Sequence, residues 1–471
     1  MSRKKRKQPI TIEKIKIIDT AHKGKSIAKL DDRVVIIDNG VPGDICDISI
    51  YKRKKKYWQA SIIKYHKYSE IREDAKCEHF GVCGGCKWQN MNYISQLKFK
   101  EKEVLNNLQR IAKVNTSSYK KILASKETYY YRNKMEFTFS NKRWLSKNEI
   151  NSNIKIKDRN ACGFHIPGMY NKVVDIKKCH LQKSPSNKIR LSIKKFALEN
   201  NLSFFDINEH KGLIRNLLIR TSSKKDLMVL VQFYEKQIDN INRLMYHIKE
   251  NFPEITSLLY TINQKANNTI YDQRLICFHG KDYIQEELDG LIFNIGAKSF
   301  FQTNSEQAKV LYKQTKSLAK IKKTDIVYDL YTGTGTIAQY VAKNSKKVIG
   351  IDSVEEGIKL ANINVKQNKI NNCKFYTGDM KEIFTDNFIL KNGRPSIIIV
   401  DPPRDGMHKK VIQQILKIKP ERIVYVSCNS ATQARDIQLM SKYYETKVIQ
   451  PIDMFPQTHH VENIVVLEKL L

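Results

Sequence analysis

Five short runs near the start of the chain alternate apolar and polar residues. They are IEKIKII, SIAKLDD, RVVIIDN, DICDISIYK and WQASIIKYH, within residues 8–66 and separated by the turn signals HKGK and NGVPGD. Alternation with a period of two predicts half-buried strands, and five in so short a span predict a small β-barrel of the OB type. From Tyr93 to about Ala112 the pattern changes to the helical period in YISQLKFKEKEVLNNLQRIA. YYYRNKMEFTFS, VVDIKKCHL, LIRNLLIRTS and DLMVLVQFY then predict strands of a central α+β segment. Beyond residue 325, apolar DIVYDLY, KVIGID, CKFYTGD, SIIIVDPP and RIVYVSC alternate with helical segments, the rhythm of a mostly parallel sheet. The closely spaced KVIQPIDMFP and VENIVVLEK predict a hairpin at one edge of that sheet. The expected fold class is α/β: an OB-like barrel in 1–70, an α+β segment in 71–290 and a Rossmann-like domain in 291–471. The helix near 93–112 is a candidate to pack on the last of these.

Composition narrows the class. A chain of 471 residues, 41% hydrophobic, exceeds one ordinary core. No apolar run reaches the roughly eighteen residues that span a bilayer. The basic start MSRKKRKQPI lacks the apolar stretch of a secretory signal, so a soluble, monomeric protein of the cytoplasm is expected. Lys and Arg number 83 against 48 Asp and Glu, a formal charge of +35. Such an excess favours a polyanion, because neutralising phosphates releases counterions; a generally lysine-rich proteome would also produce it. KRKKKYW at 52–58 sets cations beside aromatic rings, which suits backbone contact with stacking, or simply a solvated hairpin.

Candidate chemistry gathers at predicted strand ends. DLYTGTGTIA at 329–338 is strand, glycine turn, helix: Asp329, Tyr331, Gly333 and Gly335 precede a helix whose N-terminus meets a ligand's polar groups. Asp352 ends the next strand, where a carboxylate accepts from ribose hydroxyls, and Asp379 closes the third, facing an adenine edge. This geometry suits NAD or S-adenosylmethionine. Asp401 in IIIVDPPRDG favours the second, since a strand-end Asp-Pro-Pro belongs to methyl transfer onto planar nitrogenous rings and has no place in hydride transfer.

YVSCNS at 425–430 then puts Cys428 on the same edge. A buried thiol usually only packs, and transfer to an exocyclic amine needs none. Transfer to C5 of a pyrimidine does, because that carbon becomes nucleophilic only after a thiolate adds at C6. The same chemistry requires a base for the C5 proton, and FPQTHHVENIVVL offers Glu462 flanked by His459 and His460. Taken singly, the histidines could cap a hairpin and Glu462 could be a surface charge.

Nine cysteines form an odd set in a chain where disulfides are not expected. Cys77, Cys83 and Cys86 fall within ten residues, with a fourth thiolate to come from Cys162 or Cys179. Spacing alone suits a [4Fe–4S] cluster or a zinc site in which His79 takes part.

SFFQTN (299–304), DLYTGTG, DPPRDG, SCN and HHVEN together resemble the RNA uracil-5-methyltransferase family. CEHFGVCGGC and YRNKMEF are similar to its iron–sulfur branch, the bacterial 23S rRNA enzymes. The resemblance implies a TRAM-type RNA-binding barrel, Cys428 as nucleophile, Glu462 as general base, Asp401 at the target base and Gln302 on S-adenosylmethionine. It selects Cys179 as the fourth ligand of a [4Fe–4S] cluster, which would be structural because methyl transfer moves no electrons. It also implies RNA contacts at Phe300, Arg132, Lys134 and Arg404, with 23S rRNA as partner. Other expectations remain open: a transfer-RNA T-loop uridine, an amino-methyltransferase that dispenses with Cys428, or an inactive RNA-binding iron–sulfur protein.

Overall fold

In the computed structural model, which describes residues 10–152, 156 and 158–470, the N-terminal strands close on themselves. The first basic residues lie outside the described range. β1 (Ile10–Ala21), β2 (Lys25–Leu30), β3 (Arg33–Asp38), β4 (Ile45–Arg53) and β5 (Tyr57–Lys67) form a closed barrel in the order β1-β2-β3-β5-β4. Alternation sends Ile17, Ala28, Val35, Ile37, Cys46 and Ile48 into its core, as the period of two requires. The HKGK turn joins β1 to β2 with Gly24 at φ +70°, and a Cβ there would stand 2.8 Å from that of Lys87. Only glycine fits.

A second, seven-stranded sheet is ordered β12-β11-β10-β9-β6-β7-β8. Its strands are β6 (Lys134–Ser140), β7 (Ala161–Ile166), β8 (Met169–Asp175), β9 (Ile214–Thr221), β10 (Leu227–Phe233), β11 (Ser257–Ile262) and β12 (Ile276–Gly280). On one face the helix Ser186–Glu199 covers Phe137, over whose ring the Arg190 guanidinium sits at 5.3 Å. The helix Ile238–Asn251 lies beside it, with His247 stacked on Phe196 at 4.3 Å. A hairpin, β13 (Tyr283–Leu288) and β14 (Leu291–Gly296), leads into the last sheet.

That sheet has β15 (Ile326–Leu330), β16 (Lys347–Asp352), β17 (Cys373–Thr377), β18 (Ile397–Val400), β19 (Arg422–Ser427), β20 (Tyr444–Ile452) and β21 (Glu462–Lys469). Its order is β17-β16-β15-β18-β19-β21-β20, and the first five strands run parallel. The predicted hairpin sits at one edge with its second strand inserted inward, antiparallel to β19. Near-continuous apolar runs such as Ile397–Val400 are buried on both faces, as a sheet covered by helices demands.

The chain packs as two compact units: the residues up to Lys100 with Phe455–His459, and Glu101–Met454 with His460 onward. The helix from Tyr93 to Asn107 continues in a wider π-type turn over Leu108–Ala112, and that turn packs on the helix Ser430–Met440. Asn107 Nδ2 donates to Ser430 Oγ at 2.8 Å. Among the described residues no helix is long and apolar enough to cross a membrane.

Candidate active site

Parallel strands bring their C-terminal ends to one edge of a sheet, so residues far apart in sequence converge there. Asp329 lies within β15, Asp352 ends β16, and Asp401 and Cys428 directly follow β18 and β19. β21 returns antiparallel to β19 with Ser427 paired to Asn463. One further step along that register sets Cys428 across from Glu462.

The glycine turn is built on Asp329. Its buried carboxylate accepts from Thr332 Oγ1 (2.5 Å) and Ala338 N (3.0 Å), tying strand end to helix start. Tyr331 and Thr332 both donate their N–H to Ile351 O, and Tyr331 takes a left-handed φ of 66°. Asp352 accepts from Gly333 N at 2.9 Å and from Val354 N at 2.8 Å. Gly335, at φ +75°, is pressed against the Phe375 ring, which a Cβ would approach to 2.8 Å. Gly333 faces open space: a Cβ there would meet nothing within 4 Å. That opening fits the approach of S-adenosylmethionine to the backbone. Asp379 caps the short helix Met380–Ile383 through Lys381 N and lies 3.2 Å from Lys381 Nζ, so its carboxylate is exposed and already engaged.

Gln302 is buried in the SFFQTN loop, which two asparagines fasten. Asn133 of YRNKMEF donates to Gln302 O (2.9 Å) and takes Thr303 O through its own N–H. Asn304 caps the helix Ser305–Ala319 and donates to Met454 O at 3.1 Å. Phe300 is 67% exposed.

Electrostatics set the cluster of Cys428, Glu462 and Asp401 apart. Burial, followed by the charges of Glu462 and Asp401, pushes the Cys428 thiol up to about 12. Arg404 acts in the opposite sense, hydrogen-bonding the sulfur and favouring thiolate. Asn429 Nδ2 and Thr432 Oγ1 each donate to Arg404 O at 3.0 Å, folding the DPPRDG turn back onto the cysteine loop. Arg404, expected to contact RNA, is exposed to solvent while also acting on the thiol. Glu462 is 4% exposed and its Oε2 has no partner. Burial first, then Asp401, raises its carboxyl well above the usual range. Asp401 is held near 7 by burial and by Asp329, and Asp329 near 7 by burial with Asp352 adding.

His459 belongs with the first unit, where its ring meets that of His22 edge-on at 6.5 Å, and Gln457 O accepts from Lys87 N and Trp88 N. Nothing local in HHVEN signals this partition; the buried pairing of Gln96 with Gln457 decides it.

Cys77, Cys83 and Cys86 lie on an irregular loop of the first unit, where Cys77 N donates to Gln89 Oε1 and Gly85 N to Cys83 Sγ at 3.4 Å. Cys179 is in the second unit, its backbone clasped by Asn187, with neighbouring His180 and Leu181 bonded to Tyr130 and Arg132. Among the described residues no group of three or more His, Cys, Asp or Glu is arranged to hold a metal ion.

A parallel sheet with a glycine turn after its first strand and acids at successive strand ends defines the class of nucleotide-type cofactor sites, and the family matches make it that of an S-adenosylmethionine-dependent methyltransferase. Within that class the match is specific. Residues 216–470 match the tRNA (Uracil-5-)-methyltransferase family and residues 2–63 the TRAM domain. The chain is 50% identical over 451 residues to an uncharacterized RNA methyltransferase of Bacteroides thetaiotaomicron, covering 95% of this chain and 99% of that one. It is 47% identical over 460 residues to another of Porphyromonas gingivalis, covering 96% and 99%. Among solved structures, Pyrococcus abyssi tRNA (uracil-54, C5)-methyltransferase in complex with S-adenosyl-L-homocysteine superposes with a TM-score of 0.73. Identity there is 28%, covering 96% of this chain and 100% of that one. The chain belongs to the RNA (uracil-5-)-methyltransferase family and is an S-adenosylmethionine-dependent enzyme of that family.

Proposed function

We propose that the protein methylates C5 of a specific uridine in 23S rRNA through a covalent bond between Cys428 Sγ and C6 of the base. One observation carries the reading: Cys428 and Glu462 end adjacent antiparallel strands beside Asp401, with Glu462 Oε2 buried and partnerless. S-adenosylmethionine supplies an electrophilic methyl group, with Gly333, Gly335, Tyr331, Asp352, Asp379 and Gln302 as the residues that would hold it. Arg404 favours thiolate at Cys428, whose addition at C6 makes C5 nucleophilic. Asp401 orients the uracil edge. Glu462, once ionised, takes the C5 proton; the C5–C6 double bond re-forms and the thiolate leaves. The target must be unstacked to enter, and exposed Phe300 is suited to stack on a neighbouring base.

The TRAM match and the cysteine loop favour rRNA, since the bacterial tRNA enzymes of the family generally lack both. The full-length likeness to a tRNA (uracil-54, C5)-methyltransferase supports the second reading, a T-loop uridine. Incubating the purified enzyme with labelled S-adenosylmethionine and separate pools of 23S rRNA and tRNA, followed by nucleoside analysis, decides between them. Label in 5-methyluridine from rRNA alone is expected; label from tRNA alone contradicts the proposed target.

Cys77, Cys83, Cys86 and Cys179 are proposed as ligands of a [4Fe–4S] cluster. The tight spacing supports this, as does the N–H of Gly85 directed at Cys83 Sγ, a bond that thiolates accept readily. Iron and sulfide assayed after anaerobic purification test it, and stoichiometric zinc would replace it.

A further inference from the structure

The loop between β14 and the helix Ser305–Ala319 carries both Phe300 and Gln302. Phe301, between them, turns inward: it is buried, with its ring 6.4 Å from that of Phe293 in β14. The main chain is held on either side of the two phenylalanines, and both holds come from the paired ends of β6 and β9. Lys134 pairs with Arg220, and Thr221 N donates to Asn133 O at 2.8 Å, so Asn133 and Arg220 stand at the same end of that ladder. Beyond Phe301, Asn133 takes Gln302 O and Thr303 O; before Phe300, Arg220 Nη2 donates to Ser299 O at 2.5 Å. A further bond ties the helix start, because Asn133 Nδ2 also donates to Ser305 Oγ, which donates to the buried Glu286 carboxylate at 2.7 Å.

Arg220 is 2% exposed, and its Nε has no partner. Burial lowers its pKa to about 10, with Tyr271 and Glu136 acting in the opposite sense, so the guanidinium stays charged at neutral pH. A cation at this depth opposes folding unless its contacts offset the lost hydration. The contact it makes is a charge-assisted bond, which grips a carbonyl more firmly than a neutral donor does. β9 holds a second arginine that is 2% exposed, Arg215, which donates to Asn263 O, Lys265 O and Ala266 O. That loop carries none of the candidate site residues. One strand thus fastens two loops by the same chemistry, and only one of them belongs to the site.

We propose that Arg220 is a positioning residue for methyl transfer: through Ser299 O it fixes the loop on which Gln302 meets S-adenosylmethionine, with Asn133 as the second anchor. A binding group keeps its geometry only when the residues behind it are rigid, and a misplacement of about 1 Å can cost a factor on the order of 10². The central sheet acts on the cofactor in this way without touching it. The inference rests on Gln302 being a cofactor contact.

Arg220→Met keeps an apolar stem and removes the charge and the donor. It is expected to weaken S-adenosylmethionine binding, measured by calorimetry without RNA, by about tenfold. Arg215→Met should leave that affinity unchanged. Amide hydrogen exchange should quicken over residues 297–304 in Arg220→Met and over 263–266 in Arg215→Met, and not the reverse. Gln302→Ala should also weaken binding, and Arg220→Met added to it should cost less than about twofold more, because both changes remove the same contact. Arg220→Lys, with a single ammonium in place of the planar fork, should lose about threefold, and it carries the test should the methionine variant not fold. Unchanged affinity in a folded Arg220 variant, an equal loss in Arg215→Met, or full additivity with Gln302→Ala overturns the proposal and leaves Gln302 as a cofactor contact. Unchanged affinity in Gln302→Ala removes that contact, and the proposal with it.

Discussion

At Cys428 three neighbours act in opposite senses: burial and the carboxylates of Glu462 and Asp401 favour the thiol, and Arg404 favours the thiolate. Arg404→Leu removes the one favourable contact, so alkylation of Cys428 by iodoacetamide at fixed pH should slow, about tenfold for each unit by which the thiol rises. Glu462→Gln retains shape and loses the base; it should let the methylated adduct accumulate while turnover falls by about 10²–10⁴. Cys428, Asp401 and Glu462 were legible in the sequence because each stands where an apolar strand run stops or starts, and parallel pairing carries such ends to one edge. The place of Arg404 was not legible. It depends on a turn that closes through Asn429 and Thr432, contacts no local pattern announces. The surroundings of His459 were not legible for a related reason: its neighbours Gly24 and His22 lie at the other end of the chain.

Between β15 and the helix Thr336–Ala342, two glycines, both at positive φ, face different surroundings. Gly335→Ala drives a methyl into Phe375 as well as straining the backbone, and should destabilise the cofactor-free enzyme by about 1–3 kcal/mol. Gly333→Ala meets no atom and should cost about 1 kcal/mol, while weakening S-adenosylmethionine binding strongly, because the methyl fills the space left for the ligand. Thermal melting with and without S-adenosylmethionine separates the two. The glycine motif marked this turn in the sequence, but it could not distinguish the glycine that serves packing from the one that serves approach. The difference lies in Phe375 of β17, a residue brought across by the βαβ crossover. The barrel was legible from alternation, and the two strands of the final hairpin from their apolar runs and close spacing. The central sheet was visible only as isolated strands, since its order joins segments from Lys134 to Gly280 that no local pattern pairs.

For the whole molecule, stability and RNA binding follow from charges held in unusual states. Asp329 and Asp401, near 7 in the fold against about 3.9 for an ordinary Asp, remain protonated at pH 5, where the unfolded chain has already released those protons. The native state then binds more protons, so this contribution is complete below about pH 4 and is lost as pH rises through about 7. Melting of the cofactor-free enzyme should fall across that window by an amount on the order of a few kcal/mol, and Asp401→Asn should flatten the slope. The excess of 83 cations over 48 anions also makes RNA affinity fall steeply with salt. The most direct test of the chemistry is the intact mass of the enzyme after incubation with S-adenosylmethionine and substrate RNA carrying 5-fluorouridine, which has no C5 proton to lose. The account predicts a stable enzyme–RNA species, methylated and mapped by proteolysis to Cys428, and none from Cys428→Ala. An adduct that persists in Cys428→Ala, or 5-methyluridine formed by that variant on unmodified RNA, would contradict it.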